Sequence, residues 1–156
     1  MSETDGKPCI AQDALRVSFL FQYGVLTAND VIGWADSMIV RLDSSPDLLL
    51  EISMISTEKT ADIVSCLNRL GSEANHWAGL RAAFPQIRQF IITHPDQAVR
   101  IANQLFLTAC SSPQNVPKDL KFMFRYDDKF SLARDGIYGE PPAVYSSFIA
   151  DLEKFG

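Results

Sequence analysis

Val31, Trp34, Ala35, Met38, Ile39 and Leu42 recur at intervals of three and four residues, which at 3.6 residues per turn places all six on one helical face. Thr27 and Asp30 stand three apart ahead of this stripe, the offset of a capping box, so a helix is predicted to start near Ala28. Ser45-Pro46-Asp47 then reads as an N-cap, a proline at the first helical position and an acid behind it. A second helix carrying Leu48, Leu49, Ile52 and Ile55 follows, and the segment as a whole is a helix, a sharp corner and a shorter helix.

The same pattern recurs along the chain. Helices are predicted over Ala11 to Tyr23, ending near Gly24, and over Thr57 to Leu70, ending at Gly71. From Glu73 the stripe Trp77, Leu80, Phe84, Ile87 and Ile91 marks a longer helix that Pro85 should kink or split. Pro95-Asp96 starts a helix over Gln97 to Cys110 with Ala98, Ile101, Leu105 and Ala109 inward; Ser111 to Val116 is a loop. Pro117 to Ala133 and Ala143 to Phe155 complete the series, the last with Val144, Phe148, Ile149, Leu152 and Phe155 in register. Period-two alternation is nearly absent. The expected fold is all-α, seven or eight short helices in an irregular or solenoid-like bundle, forming one helical domain over residues 1–156 with a flexible N-terminus at 1–9.

Composition narrows the function classes. At 156 residues a chain can bury about 70% of its unfolded surface, and 47% apolar with 21% charged residues is ordinary for a globular protein. The polar opening MSETDGKPC lacks the basic and apolar blocks of a secretory signal, and no run approaches the ~18 apolar residues of a membrane span, so a cytoplasmic protein is expected. Cys9, Cys66 and Cys110 show neither disulfide nor zinc spacing; Cys66 and Cys110 lie in apolar helical contexts, where a thiol acts as a small hydrophobe. A net charge of −5 disfavours nucleic acid, whose recognition needs cations against phosphates, and suits solubility, the commoner role of such a charge, or a basic partner.

Catalytic constellations are sparse. Glu73 and His76 have the E-x-x-H spacing of helical di-iron sites, but one copy and a distant His94 make an incomplete set. Asp127, Asp128, Asp135 and Glu140 miss the calcium-loop spacing and read as a solvated acidic face. No nucleophile elbow or Gly-rich phosphate loop is present, so neither a catalytic residue nor a cofactor or metal site is assigned. Phe122, Met123, Phe124, Tyr126 and Phe130 are too dense for one helical face; most should be core, and part of the second face can meet another protein. Gly136-Ile137-Tyr138-Gly139, before Glu140-Pro141-Pro142, is a defined turn whose aromatic is expected to pack back on the domain, with an interface as the competing reading.

Gly24, Asp30-Val31, Trp34-Ala35-Asp36, Ile39, Leu42-Asp43, Pro46, Leu49 and Glu51-Ile52-Ser53, with DKFSLARDGIYG from Asp128 to Gly139, resemble a pattern of small all-helical bacterial proteins, some of them similar to immunity proteins of toxin systems. That resemblance implies a non-enzymatic protein that neutralises a cognate basic toxin domain by direct binding. The expected contact surface is Asp127, Asp128, Asp135, Tyr138 and Glu140, since acids steer a basic partner and an aromatic anchors it. The competing readings are a metal-dependent helical enzyme using Glu73, His76 and His94, and an adaptor domain with no toxin partner.

Overall fold

The structure is a computed structural model and describes residues 10–111 and 113–155; the expectations for the N-terminus and for Cys9 lie outside the described residues. The fold is all-α. Among the described residues there are eight α-helices and no strand: α1 (Ile10–Gln22), α2 (Ala28–Arg41), α3 (Asp47–Met54), α4 (Thr60–Leu70), α5 (His76–Thr93), α6 (Ala98–Cys110), α7 (Tyr126–Arg134) and α8 (Pro141–Glu153). Short 3-10 segments at Pro95–Gln97, Pro113–Asn115 and Lys118–Phe124 lie between them. The chain divides into two compact units, residues 1–83 and 84–156, with the division falling inside α5.

In the first unit α1 packs on α4, α2 on α3, and α3 on α4. Its core gathers Val17, Val31, Ala35, Met38, Leu49, Ile52, Ile63, Cys66 and Leu67, with Trp34, Ile39, Leu42, Leu48 and Ile55 partly buried against it. The α2 stripe is therefore graded, its centre sealed and its flanks half-open. The capping box forms as expected: Asp30 N–H donates to Thr27 Oγ1 at 3.1 Å, and Thr27 N–H donates to the Asp30 carboxylate at 2.9 Å. Pro46, not Ser45, occupies the N-cap of α3, and no side chain caps that helix. Helix α4 likewise begins at Thr60, later than the predicted Thr57.

Two glycines predicted as helix stops differ in their physics. Gly24 has φ of 77°, and after it Val25 N–H reaches the Leu20 carbonyl while Gly24 N–H reaches that of Phe21, the paired bonds of a Schellman ending. Gly71 has φ of −90°, which any residue adopts. Its requirement is space: a Cβ there would lie 2.6 Å from Leu15 Cγ and Cδ2 and 3.0 Å from the Ala11 carbonyl oxygen. Gly79 in α5 is tighter, since its Cβ would come within 2.5 Å of Leu15 Cβ. Leu15 thus seats against two bare backbones.

Polar groups stitch the same unit. Buried Ser18 on α1 donates to Asn68 Oδ1 at 2.7 Å and accepts from Gln22 Nε2 at 2.9 Å. Asp13 receives Trp34 Nε1–H at 2.7 Å and Arg16 Nε–H at 2.8 Å, which orients the indole and ties α2 to α1. Burial by itself raises the Asp13 pKa, but these donors, with the Arg16 and Arg41 charges, together outweigh it and hold the carboxyl below its ordinary value.

In the second unit Phe84, Ile87 and Ile91 of α5 are fully buried, as are Ala98, Ile101, Leu105 and Ala109 of α6, the predicted inward set. Helix α5 runs through Pro85 without a break, although that residue cannot donate to the Arg81 carbonyl. The predicted helix over Pro117 to Ala133 is instead two pieces, a 3-10 segment and α7, which meet at Arg125. The join resolves the excess of aromatics. Leu120, Phe122 and Met123 bury from one piece, Tyr126 and Phe130 from the other, and Phe124 is half-buried. Phe84 meets Phe122 and Phe155 at ring-centroid distances of 5.7 and 4.7 Å, and Phe148 meets Tyr126 at 4.8 Å. Tyr126 Oη–H donates to the Asp151 carboxylate and Tyr145 Oη–H to the Ile91 carbonyl at 3.2 Å.

Candidate functional site

The connection from α7 to α8 is built by backbone chemistry. Asp135 caps α7, Gly136 follows with φ of 71°, and Ile137 N–H bonds the Leu132 carbonyl at 2.9 Å while Gly136 N–H bonds that of Ala133. This is the second Schellman ending in the chain. Such endings commonly fold the next apolar side chain back on the helix. Here it does not fold back. Ile137 is 70% exposed and Tyr138 73% exposed, which corrects the expectation that the turn packs on the domain. Gly139, with φ of 79°, then redirects the chain into Glu140 and the two prolines that open α8. Two left-handed glycines therefore bracket and present one apolar-aromatic pair.

Beside this knuckle lies a groove of about 120 Å³ lined by Lys129, Tyr138, Gly139, Glu140, Ala143, Val144 and Ser147. The volume suits one inserted side chain and falls short of the several hundred Å³ of a small-molecule site. Its floor is apolar, from Ala143 and Val144, and its rim carries charges of both signs, Glu140 and Lys129. Lys129 Nζ also stands 5.3 Å from the Tyr126 ring centroid, which keeps the cation close to the domain surface.

Of the five residues predicted for the contact surface, Tyr138 and Glu140 line this groove and Asp135 opens the same loop, ion-paired to Arg134 at 3.3 Å. Asp127 and Asp128 sit in the first turn of α7, at the helix end away from the loop, where the helix dipole favours acids. Asp127 accepts Asn103 Nδ2–H at 3.0 Å, a bond that ties α7 to α6, while Asp128 is exposed. Lys129, Ala143, Val144 and Ser147 also line the groove and Ile137 stands exposed beside Tyr138, and none of these was among the five. The signal for Ile137 was its place between the two glycines.

The metal-site reading finds no geometry. Glu73 lies in the turn before α5 and His76 is the first residue of that helix, so the pair is not one helical turn apart on a common face. His76 packs on Phe19 and Trp77 at ring-centroid distances of 5.0 and 4.8 Å, and burial lowers its pKa. His94 stacks on Phe90 at 4.7 Å with Nδ1 3.2 Å from the Phe90 carbonyl. Among the described residues no group of three or more His, Cys, Asp or Glu side chains is placed to hold a metal ion.

The thiols divide. Cys66 is buried as expected and donates Sγ–H to the Glu51 carboxylate at 3.1 Å; burial first, and that carboxylate second, push its pKa up to about 11. Cys110, predicted to be a small buried hydrophobe, is exposed at the end of α6, where Ala109 rather than Cys110 faces inward. No helix among the described residues is long and apolar enough to cross a membrane. No protein-family model matches the chain, and comparison with curated proteins and with solved structures finds no similar one.

Proposed function

We propose that this chain is a non-enzymatic binding protein that grips another protein with the Ile137–Tyr138 knuckle and the groove beside it. The observation that carries the reading is the exposure of those two side chains on a loop tied to the end of α7 by the Gly136 and Ile137 N–H bonds to the Ala133 and Leu132 carbonyls. A pre-ordered loop loses little entropy on binding. Burying Ile137 and Tyr138 against a partner contributes about 1.5–3 kcal/mol each, the size of an interface hot spot. Asp135, ion-paired to Arg134, and Glu140, opposite Lys129 on the groove rim, flank the pair and give a partner charged groups of both signs to meet. A basic toxin domain is the partner implied by the resemblance to immunity proteins.

Site-specific photo-crosslinking tests the reading. A benzophenone amino acid placed at Tyr138, in the full chain expressed in its native cells, is expected to give one dominant adduct with a basic protein, and the same probe at Ser146 on α8 is not. Ile137→Ala should weaken binding of the identified partner by at least about tenfold. Equal adducts from both positions, or none, would refute the assignment.

A further inference from the structure

A second presented surface lies on α2 and α3, in the other compact unit, and it does not depend on the Tyr138 knuckle. From Ala28 to Met54 the chain carries five acids, Asp30, Asp36, Asp43, Asp47 and Glu51, against one base, Arg41. Five less one is four net negative charges, out of a net charge of −5 for all 156 residues. Arg41 is close enough to Asp13 to act on its carboxyl, so part of its field is directed at α1.

The same two helices expose three apolar side chains. Val40 is 84% and Met54 86% exposed, and Leu50 is 44% exposed. Leu50 and Met54 are four apart on α3 and share a face that is turned away from buried Leu49 and Ile52. Ser53 Oγ–H donates to Asp36 Oδ1, which sets the register between the helices. Val40 lies one turn beyond Asp36 on the same face of α2, and Leu50 lies one turn before Ser53 on α3, so both step toward the corner at residues 42–46. Charge and apolar side chains therefore occupy one stretch of surface.

We infer that this α2–α3 surface docks a basic amphipathic helix of a partner protein, with Val40, Leu50 and Met54 taking its apolar stripe and Asp43, Asp47 and Glu51 facing its cations. Charge complementarity selects the occupant. A second copy of the chain would bring two such acidic surfaces together, and residues 1–9, with Glu3 and Asp5 against Lys7, are themselves acidic and polar. Methionine suits the role because its unbranched, polarisable side chain adapts to the helix it meets.

The probe is an 18-residue leucine–lysine peptide with leucines at helical spacing, titrated against the full chain by isothermal calorimetry and by amide NMR. Micromolar binding is expected, with shifts centred on α2 and α3. Met54→Ser with Leu50→Ser should weaken it by about tenfold or more, as should neutralising Asp43, Asp47 and Glu51 to their amides, and raising the salt should weaken the parent but not the amide variant. Asp43, Asp47 and Met54 are well exposed, Leu50 is less so, and Glu51 accepts the Cys66 thiol, a bond that Glu51→Gln can keep through its amide oxygen; a circular dichroism melt of each variant confirms its fold. Three results overturn the inference: a scrambled peptide of the same composition binding equally, Val99→Ser with Leu107→Ser on α6 weakening binding as much, or a chain dimer that dissociates in the Met54→Ser variant.

Discussion

Adding one methyl group at Gly79 distinguishes a glycine kept for close packing from one that is merely tolerated. In an exposed helix interior, Gly→Ala stabilises by up to about 1 kcal/mol because alanine loses less conformational freedom on folding. Gly33 in α2 is such a site, with nothing within 4 Å of an added methyl, so Gly33→Ala should stabilise by about 0.5–1 kcal/mol. At Gly79 the methyl would stand 2.5 Å from Leu15 Cβ, well inside the ~3.5–4 Å at which carbon atoms attract. Leu15 Cβ is fixed to the α1 backbone, so no rotamer change relieves the overlap, and the two helices must separate. Overpacking of this kind costs about 1–3 kcal/mol, and the helical gain offsets only part of it. Gly79→Ala should therefore destabilise by about 1–2 kcal/mol. Urea titration followed by circular dichroism reads both variants, and a combined difference of roughly 1.5–3 kcal/mol corresponds to a split in melting temperature of about 3–12 °C. Leu15→Ala should relieve Gly71→Ala, whose overlap is with Cγ and Cδ2, more than it relieves Gly79→Ala, whose overlap is with the retained Cβ. Gly79→Ala as stabilising as Gly33→Ala would refute the close seating of Leu15.

Two further expectations concern named bonds. Asp13→Asn should destabilise by about 1.5–3 kcal/mol near neutral pH, since it weakens the charged acceptor of Trp34 and Arg16. Because the folded Asp13 pKa lies below its ordinary 3.8, that stabilisation is complete above the unfolded value and is lost as pH falls through the folded one. Melts of the wild type and of Asp13→Asn across a pH series should therefore differ near neutrality and converge in strong acid; a gap constant with pH contradicts the account. In a Cys9→Ser background, Cys110 should react at once with a disulfide reagent, whereas Cys66, protonated and buried beside Glu51, should react only on unfolding; equal rates for the two would contradict the placement of Cys66.

The parts of the fold legible in the sequence are those set by local periodicity and local hydrogen bonding. The inward sets of α2 and α6, the capping box at Thr27 and Asp30 and the Schellman ending at Gly24 depend on side chains within a few residues of each other. Features decided by contacts distant in sequence were not legible. Gly71 and Gly24 look alike in sequence, yet Gly24 answers a backbone torsion and Gly71 the approach of Leu15. The single predicted helix over Pro117 to Ala133 divides because its aromatics need two burial directions, which a lone helical stripe cannot supply. At the candidate site the turn Gly136 to Gly139 was legible from its glycines. The outward direction of Ile137 and Tyr138 was not, because that depends on what the rest of α7 and α8 leaves uncovered. Cys110 was misplaced for a related reason, as one residue past Ala109 is enough to rotate off the buried face.

Since the glycines at 136 and 139 shape the α7–α8 loop through the main chain, the two residues between them carry almost no responsibility for folding. Substitutions at Ile137 and Tyr138 should therefore leave the helices intact, so that on the proposed reading the contact chemistry of the loop is set independently of the fold.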